Sequence, residues 1–291
     1  MKPAVFKYIR AQSLEETLSL LADKGGEAKI LAGGQSLVPM MNFRVAQPGT
    51  LIDIDPVKEL DYLRVENSWL PVGALTRQRT LEKSPVVKEQ CPLIAQAVKW
   101  IGHPQTRNRG TVGGSLVHGD PTAELPLVAT LLDAQILIQK KGKSRTVGPA
   151  DFFEDLMTTR IAEDEVLTQV SFPLAPPRSG CGFRELSIRH GDFAIVAAAV
   201  QLTLGEDGRF TDARVAVSGG GPKAVRIHKA EQALIGQKGN GKVFQEAAAC
   251  VPDAVHPPAD QKASEAYRRE MAKVFVRRAL DDAWAMMRVQ Q

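Results

Sequence analysis

The sequence predicts an α+β protein built from three compact units in series. Three observations carry this. Short apolar runs of strand type alternate with a capped helical segment over the first 55 or so residues. A proline-rich stretch, Pro173-Leu174-Ala175-Pro176-Pro177-Arg178-Ser179-Gly180, separates the second unit from the third. The last segment repeats apolar residues with helical period. At 291 residues the chain is too long for one small core. Its 44% hydrophobic and 24% charged residues are those of an ordinary soluble globular protein. The units expected are residues 1–57, 58–176 and 177–291.

In the first unit, Val5 to Arg10 reads as a strand. Ser13-Leu14-Glu15-Glu16 is a capping box, in which a hydroxyl and a carboxylate satisfy helix-start amides, and Gly25-Gly26 ends that helix near Lys24. Lys29 to Ala32 is a short buried strand and Leu51 to Asp55 another. In the second unit, Leu63 to Val72 reads as a hairpin turning near Asn67-Ser68. Thr76 is suited to cap a short helix, and Pro92 to Trp100 reads as a helix with Leu93, Ala97 and Trp100 along one side. Residues 101 to 119 show little periodicity and read as loop. Asp120-Pro121 predicts a helix running through Leu132, because aspartate caps an N-terminus and proline suits the first helical position. Ala134 to Gln139 and Glu165 to Phe172 read as strands.

In the third unit, Phe193 to Leu204 is an apolar run of strand or buried-helix type, and Arg214 to Val217 reads as a strand. Ala272, Phe275, Val276, Ala279, Leu280, Ala283, Trp284 and Met287 then recur at i, i+3, i+4 and i+7, with charged residues opposite. That is a core-packing helix, not a binding element.

The chemistry-bearing feature is a pair of glycine doublets. Ala32-Gly33-Gly34-Gln35-Ser36 follows the apolar run Ala28-Lys29-Ile30-Leu31, and the second doublet lies in Arg109-Gly110-Thr111-Val112-Gly113-Gly114-Ser115, within a stretch read as loop. Glycine lets the backbone take positive φ and brings a ligand against main-chain atoms, and each doublet is followed by a hydroxyl, Ser36 or Ser115. Two amide-lined loops with hydroxyls suit two linked phosphates, as in a dinucleotide. Neither fits G-x-G-x-x-G, so a Rossmann-type site is not supported. Gly236-Gln237-Lys238-Gly239-Asn240-Gly241-Lys242 fits G-x-x-x-x-G-K, yet the next residue is Val243 and Lys229 to Ile235 reads as a helix. With neither the hydroxyl nor the preceding strand, it is a turn between helices. Ser218 to Pro222 reads as a turn after a strand. His118 is a hydrogen-bonded histidine near a helix start or a general base, but no nucleophile partners it. Glu124 either complements a helix dipole or accepts hydrogen bonds from a ribose.

Other function classes are disfavoured. The net charge of +4 is scattered, so there is no nucleic-acid footprint, though a slightly basic surface suits an acidic protein partner. No apolar run reaches membrane-spanning length, and Met1 to Arg10 has no signal-type apolar core, so a cytoplasmic location is expected. Cys91, Cys181 and Cys250 form no C-x-x-C, and the five histidines show no i, i+4 pair, so no metal or iron–sulfur site of the chain's own is expected.

Ala32-Gly33-Gly34-Gln35-Ser36-Leu37-Val38-Pro39 followed by Leu51-Ile52-Asp53-Ile54 resembles the first flavin loop of the molybdenum hydroxylase flavoproteins. Those are the medium subunits of aerobic carbon monoxide dehydrogenase and its relatives, with the flavin domain of xanthine dehydrogenase. Gly102 to Gly114 resembles the family's second loop, and the likeness continues through His118 to Pro126, Arg189 to Val196 and Tyr267-Arg268-Arg269. The resemblance implies a two-lobed FAD-binding domain of the vanillyl-alcohol-oxidase (PCMH) type, lobes 1–57 and 58–176, then an α+β C-terminal domain of the carbon monoxide dehydrogenase flavoprotein type.

It also implies non-covalent FAD held by Ala32, Gly33, Gly34, Gln35, Ser36, Leu37, Val38, Thr111, Gly113, Gly114, Ser115, Glu124, Leu167, Arg184 and Phe193. Main-chain amides and the hydroxyls of Ser36, Thr111 and Ser115 would hold the pyrophosphate, and Glu124 would lie on the adenosine side. Leu167 would contact the flavin or adenosine, Arg184 would lie near the isoalloxazine, and Phe193 would cover one flavin face. Gln35 stands where carbon monoxide dehydrogenases usually carry His, which weakens that substrate assignment and leaves no imidazole for covalent attachment. The implied activity is an oxidoreductase subunit without catalytic residues of its own. It would take electrons from [2Fe–2S] clusters of a small partner, with molybdenum–pterin on a large partner, in a dimer of heterotrimers. It would pass them to NAD, a quinone, oxygen or another acceptor. A self-contained flavin oxidase or dehydrogenase of a small organic substrate is the alternative, and a flavin-free scaffold is disfavoured by the glycine loops.

Overall fold

The structure is a computed structural model and describes residues 1–289. Strands β1 (Lys7–Arg10), β2 (Ala28–Leu31) and β3 (Thr50–Asp53) make a parallel sheet in the order β1-β3-β2. Helix α1 (Leu14–Lys24) crosses between the first two. Its start keeps the Ser13 half of the expected capping box, while the Glu16 carboxylate reaches one residue further back, to Gln12. Ser13 Oγ accepts from Glu16 N at 3.1 Å, and the Glu16 carboxylate accepts from Gln12 N at 2.7 Å. Gly25, at φ 53°, closes it. Leu21, with partly buried Leu14 and Leu18, packs toward Ile52, Ile54, Val57 and Leu60. After β2 the chain turns through Ala32–Ser36 into α2 (Leu37–Asn42), a helix too short to show a period in sequence.

The second unit is built on an antiparallel sheet ordered β4-β9-β5-β6: β4 (Trp69–Gly73), β5 (Gln135–Lys140), β6 (Lys143–Val147) and β9 (Val166–Pro173). The hairpin at 63–72 is present but slight. Its outer arm makes only the isolated bridges Leu63↔Val72 and Glu66↔Trp69, around Asn67 at φ 52°. Between β4 and β5 run α3 (Gln78–Lys83), α4 (Pro85–Gln90), α5 (Pro92–Ala97), α6 (Pro104–Arg109), α7 (Val112–His118) and α8 (Glu124–Leu132). The short helix α9 (Pro149–Phe152) and the small hairpin β7 (Phe153–Asp155) and β8 (Thr158–Thr159) precede β9.

Four expectations are corrected here. Thr76 does not cap α3: its hydroxyl is drawn to the Tyr62 carbonyl at 2.8 Å, and Arg77 holds the cap position. Helix α5 ends at Ala97, and Trp100 lies beyond it, stacked on His190 with ring centroids 5.2 Å apart. Residues 101–119 are largely helical as α6 and α7, each too short for periodicity to register. Helix α8 begins at Glu124, not at Pro121. The Asp120 carboxylate turns back on the Thr122 N–H and hydroxyl, at 2.8 and 2.7 Å, and this Asx turn competes with the helix start.

The third unit is an antiparallel sheet in the order β10-β11-β12-β13: β10 (Ser179–Leu186), β11 (Val196–Leu204), β12 (Phe210–Ser218) and β13 (Val225–Arg226). The run at 193–204 is therefore a strand. Helices α10 (His228–Leu234), α11 (Gly241–Ala249) and α12 (Glu265–Val289) come after it. The stretch 235–240 joins α10 to α11, and Asn240 caps α11 by accepting from Lys242 N and Val243 N, so the G-x-x-x-x-G-K stretch is a helix-to-helix turn. Strand β10 is hidden in sequence because glycines interrupt it. Those glycines let α12 lie directly on it: a Cβ on Gly180 would stand 2.2 Å from the Ala283 carbonyl oxygen, and one on Gly182 2.1 Å from that of Ala279.

Strand alternation gives this sheet two apolar faces. Val196, Ala198, Val200, Val215 and Val217 share a core with α12. Cys181, Phe183, Ala197, Ala199 and Ala216 face the other way and join the core of the second unit. Gln96 of α5 ties the seam, accepting from Phe183 N at 3.0 Å and donating to the Cys181 carbonyl at 3.4 Å. Arg214 reaches the Leu132 carbonyl at the end of α8 at 3.0 Å.

Candidate cofactor site

Strands β2 and β3 run side by side and end together, so the chain leaving β2 at Ala32 opens beside Asp53. A cleft of about 510 Å³ lies there, lined by Tyr8, Ala32, Gly33, Gly34, Asp53 and Arg109 among others. Gly34 sits at φ 71°, a conformation that glycine adopts without strain. Among the described residues no hydrogen bond claims the N–H groups of Gly33, Gly34, Gln35, Ser36 or Leu37. The next amide, Val38 N–H, is taken by the Gly34 carbonyl at 3.2 Å, and the Gln35 side chain donates to the Gly33 carbonyl at 3.1 Å. A run of successive unspent amides is an anion-binding nest.

The second glycine stretch meets this nest. A Cβ on Gly33 would lie 2.3 Å from the Arg109 carbonyl oxygen and 3.0 Å from Gly110 Cα, so only glycine lets the two segments touch. The second stretch is itself pinned. Arg77 donates to the Arg109 carbonyl at 2.7 Å while paired with Asp55, and Gln78 N donates to the Gly110 carbonyl at 2.9 Å. Gly113 packs onto Ala74, whose Cβ would lie 2.6 Å from an added Cβ.

This stretch is not an open loop but the first turn of α7, and most of its amides are spent. Val112 N donates to Thr76, Gly113 N to Ala74 at 2.8 Å, Gly114 N to the Thr111 hydroxyl at 3.1 Å, and Ser115 N to the Thr111 carbonyl at 3.2 Å. What it offers a ligand is the exposed Gly114 surface and the half-buried Ser115 hydroxyl.

Charges around the cleft are paired. Asp53 accepts from the Tyr8 hydroxyl, and that bond, with burial, pushes the Tyr8 phenol up. Arg107 is buried and fixes α6 by donating to Glu82 at 2.8 Å and to the carbonyls of Ile101 and Gly102 at 2.8 and 3.0 Å. Burial alone would raise the Glu82 carboxyl, but hydrogen bonds from Arg107 and Arg79 outweigh it and hold the group below the usual carboxylate range. His118 is half-buried, and burial favours its neutral form against the pull of Asp120.

The structure thus seats the first stretch at Gly33 on Arg109 and Gly110, and Arg109 alone of the second stretch lines the cleft; Thr111, Gly113, Gly114 and Ser115 follow it in the first turn of α7. Leu167 lies buried on β9, next to Thr168, whose carbonyl accepts from Ala74 N at 2.9 Å. Glu124 begins α8, shortly after α7. Arg184 is turned away: it faces α12 and pairs with Asp282 at 2.8 Å. Phe193 is 64% exposed, with Lys262 Nζ 5.5 Å from its ring centroid. The residue that sequence reading passed over is Glu185. It is the neighbour of Arg184, on the opposite face of β10 and only 5% exposed. No local signal marked it, since Gly180 and Gly182 break the strand pattern and only α12 packed on them shows which side they face. Among the described residues no cluster of three or more His, Cys, Asp or Glu could hold a metal, and no helix is long and apolar enough to cross a membrane.

Comparison with known proteins places this geometry. The family described as the FAD binding domain in molybdopterin dehydrogenase matches residues 4–175, and the CO dehydrogenase flavoprotein C-terminal domain matches residues 182–283. The chain is 40% identical over 283 residues to the 6-hydroxypseudooxynicotine dehydrogenase complex subunit alpha of Paenarthrobacter nicotinovorans, covering 97% of this chain and 96% of that one. It is 35% identical to the carbon monoxide dehydrogenase medium chain of Hydrogenophaga pseudoflava, covering 98% and 99%. A solved structure of carbon monoxide dehydrogenase from Hydrogenophaga pseudoflava, lacking the Mo-pyranopterin moiety of its cofactor, superposes with a TM-score of 0.95 at 36% identity, covering 98% of this chain and 99% of that one.

Proposed function

The chain belongs to the family of FAD-binding subunits of molybdopterin dehydrogenases, and we propose that it binds FAD without a covalent link and passes electrons from a partner's [2Fe–2S] clusters to an external acceptor. The single observation that carries this is the seating of Gly33 against Arg109 and Gly110, with five successive amides beside it unspent. A diphosphate is the ligand whose charge and size suit such a cradle.

In this reading the Gly33–Leu37 amides grip the pyrophosphate, with the Ser36 and Ser115 hydroxyls completing the cradle. Ala32 and Val38 wall it, Thr111 and Gly113 hold α7 in place, and Gly114 allows close approach. Leu167 supplies apolar surface beneath, Glu124 hydrogen-bonds sugar hydroxyls, and Phe193 closes over the flavin. Arg184 acts through its pairing with Asp282, fixing β10 on α12, not by touching the ligand. When bound, FAD accepts two electrons and releases them singly or in pairs. The chain's own part is to position the cofactor, exclude water and present it to partners.

The two relatives' names describe one component of a larger assembly, a complex subunit and a medium chain. That supports a heteromeric molybdenum hydroxylase with small iron–sulfur and large molybdopterin partners, where substrate oxidation belongs to the large one. The test is direct. The full chain, purified and stripped of flavin, is titrated with FAD and then co-expressed with its partners. One bound FAD per chain, reduced by substrate only when the partners are present, is the expected result. Absence of FAD binding refutes the cofactor assignment, and substrate turnover by the isolated chain refutes the electron-transfer role.

A further inference from the structure

Arg109 ends α6, and its backbone is held on both sides. Its carbonyl accepts from Arg77 Nη1 at 2.7 Å at the spot where Gly33 packs, and the next amide, Gly110 N, donates to the Thr106 carbonyl at 2.7 Å. The side chain is not held in this way. Among the described residues no hydrogen bond engages its guanidinium, and its one ion pair, Nη1 to Asp55 Oδ2, is 3.9 Å long. That separation is beyond hydrogen-bond range. The side chain is 57% exposed and lines the cleft beside Gly33 and Gly34.

The charges nearby leave this guanidinium in surplus. Arg10, Arg77 and Arg109 face two carboxylates, Asp53 and Asp55. Asp55 is paired with Arg77. Asp53 accepts from the Tyr8 hydroxyl and from Asp55 N at 3.0 Å, with Arg10 Nε 3.6 Å away. Arg77 is engaged twice, by Asp55 and by the Arg109 carbonyl. Neither Arg10 nor Arg77 lines the cleft, so among the described residues that do, Arg109 is the one cation. Complementing the C-terminal dipole of α6 would account for a positive charge at this position. It would not account for a charge laid along the cleft, next to five unspent amides.

Amides orient an anion without neutralising it, and a diphosphate carries a negative charge on each phosphate. A guanidinium adds full charge and a planar fork of N–H donors that matches phosphate oxygens. We propose that Arg109 is the counter-charge of the cradle: when a diphosphate enters, its guanidinium leaves Asp55 and pairs with phosphate oxygens above the Gly33–Leu37 amides. This rests on the proposed FAD binding for the identity of the ligand, but not for the choice of a diphosphate. Asp55 loses little in the exchange, because Arg77 keeps it paired. The pinned Arg109 carbonyl fixes the root of the side chain against Gly33, so cation and nest stay together.

The test uses the full chain stripped of flavin, as parent, Arg109→Met and Arg109→Lys. FAD is titrated at about 0.1 M and about 1 M salt, between which the screening length falls from about 10 Å to about 3 Å. At the lower salt Arg109→Met should bind FAD about tenfold more weakly than the parent, the loss expected for one charge-assisted contact at an exposed site. At the higher salt that gap should narrow to about threefold, because a screened charge is worth less. Arg109→Lys keeps the charge without the fork and should stay within about threefold of the parent at the lower salt. Arg109→Met within about twofold of the parent there, a gap that salt leaves unchanged, or Arg109→Lys as weak as Arg109→Met overturns the proposal. Inorganic pyrophosphate, titrated in parallel, presents the diphosphate without the flavin and should show the same gap between parent and Arg109→Met. If the parent binds pyrophosphate but no FAD, the cofactor reading falls and the pyrophosphate gap decides Arg109. If pyrophosphate alone binds too weakly to titrate, the FAD gap decides. A parent that binds neither overturns both.

Discussion

Replacing Gly33 by alanine perturbs the point where the two glycine stretches meet. The added methyl would stand 2.3 Å from the Arg109 carbonyl oxygen. Retreat to the closest separation that real Cβ atoms show parts the segments by about 0.7 Å. Arg109 and Gly110 cannot give, because Arg77 and Gln78 hold their carbonyls at 2.7 and 2.9 Å. The nest must therefore move, and a shift of that size stretches a hydrogen bond of about 2.9 Å to about 3.6 Å, beyond useful range. Losing one or two charge-assisted bonds to phosphate costs about 2–4 kcal/mol, roughly 30- to 1,000-fold in Kd for FAD. Overpacking lowers fold stability by about 1–3 kcal/mol as well. Flavin fluorescence titration reads the first effect, and thermal unfolding of the same sample reads the second. Gly148→Ala is the control, since nothing lies within 4 Å of its Cβ position. If folded Gly33→Ala binds FAD within about twofold of the parent, the cradle argument is wrong.

Gly182→Ala forces a methyl to 2.1 Å from the Ala279 carbonyl, so α12 must lift from β10, and a loss of about 1–3 kcal/mol in denaturant unfolding is expected. Arg107→Met leaves Glu82 with Arg79 alone and two carbonyls without their donor, which should cost about 2–3 kcal/mol and reduce FAD affinity through displaced α6. The same pair sets an acid limb. Glu82 is held below its unfolded value, so its contribution is full above the ordinary glutamate range and is lost as pH falls through the lowered folded value; urea midpoints against pH for parent and Glu82→Gln should diverge above that range and converge in acid. Ser13→Ala removes the α1 cap and should cost about 1 kcal/mol by urea titration, with no change in FAD affinity. Burial pushes the Cys91 and Cys181 thiols up to about 12, so native-state alkylation followed by mass spectrometry should label Cys250 alone.

What the sequence determined by itself were features set within a few residues. The capping box at Ser13–Glu16, the turn at Asn67, the end of α8 at Leu132 and the long period of α12 all depend on local hydrogen bonds or on apolar repetition along one element. The two glycine doublets belong here too, because a backbone without Cβ is visible as letters. Tertiary structure decided what those letters meet. Gly33 is glycine for the sake of Arg109, and Gly113 for the sake of Ala74, partners far away in sequence. It also decided that the second doublet opens a helix with most of its amides spent, and that β10 exists at all, since its glycines look like loop until α12 lies on them. The same strand sends Arg184 to one face and Glu185 to the other. A side chain's face is fixed by its strand's register, and that register is set by the neighbouring strands and the helix packed on them. Residues so far from β10 in the chain leave no trace in its local pattern.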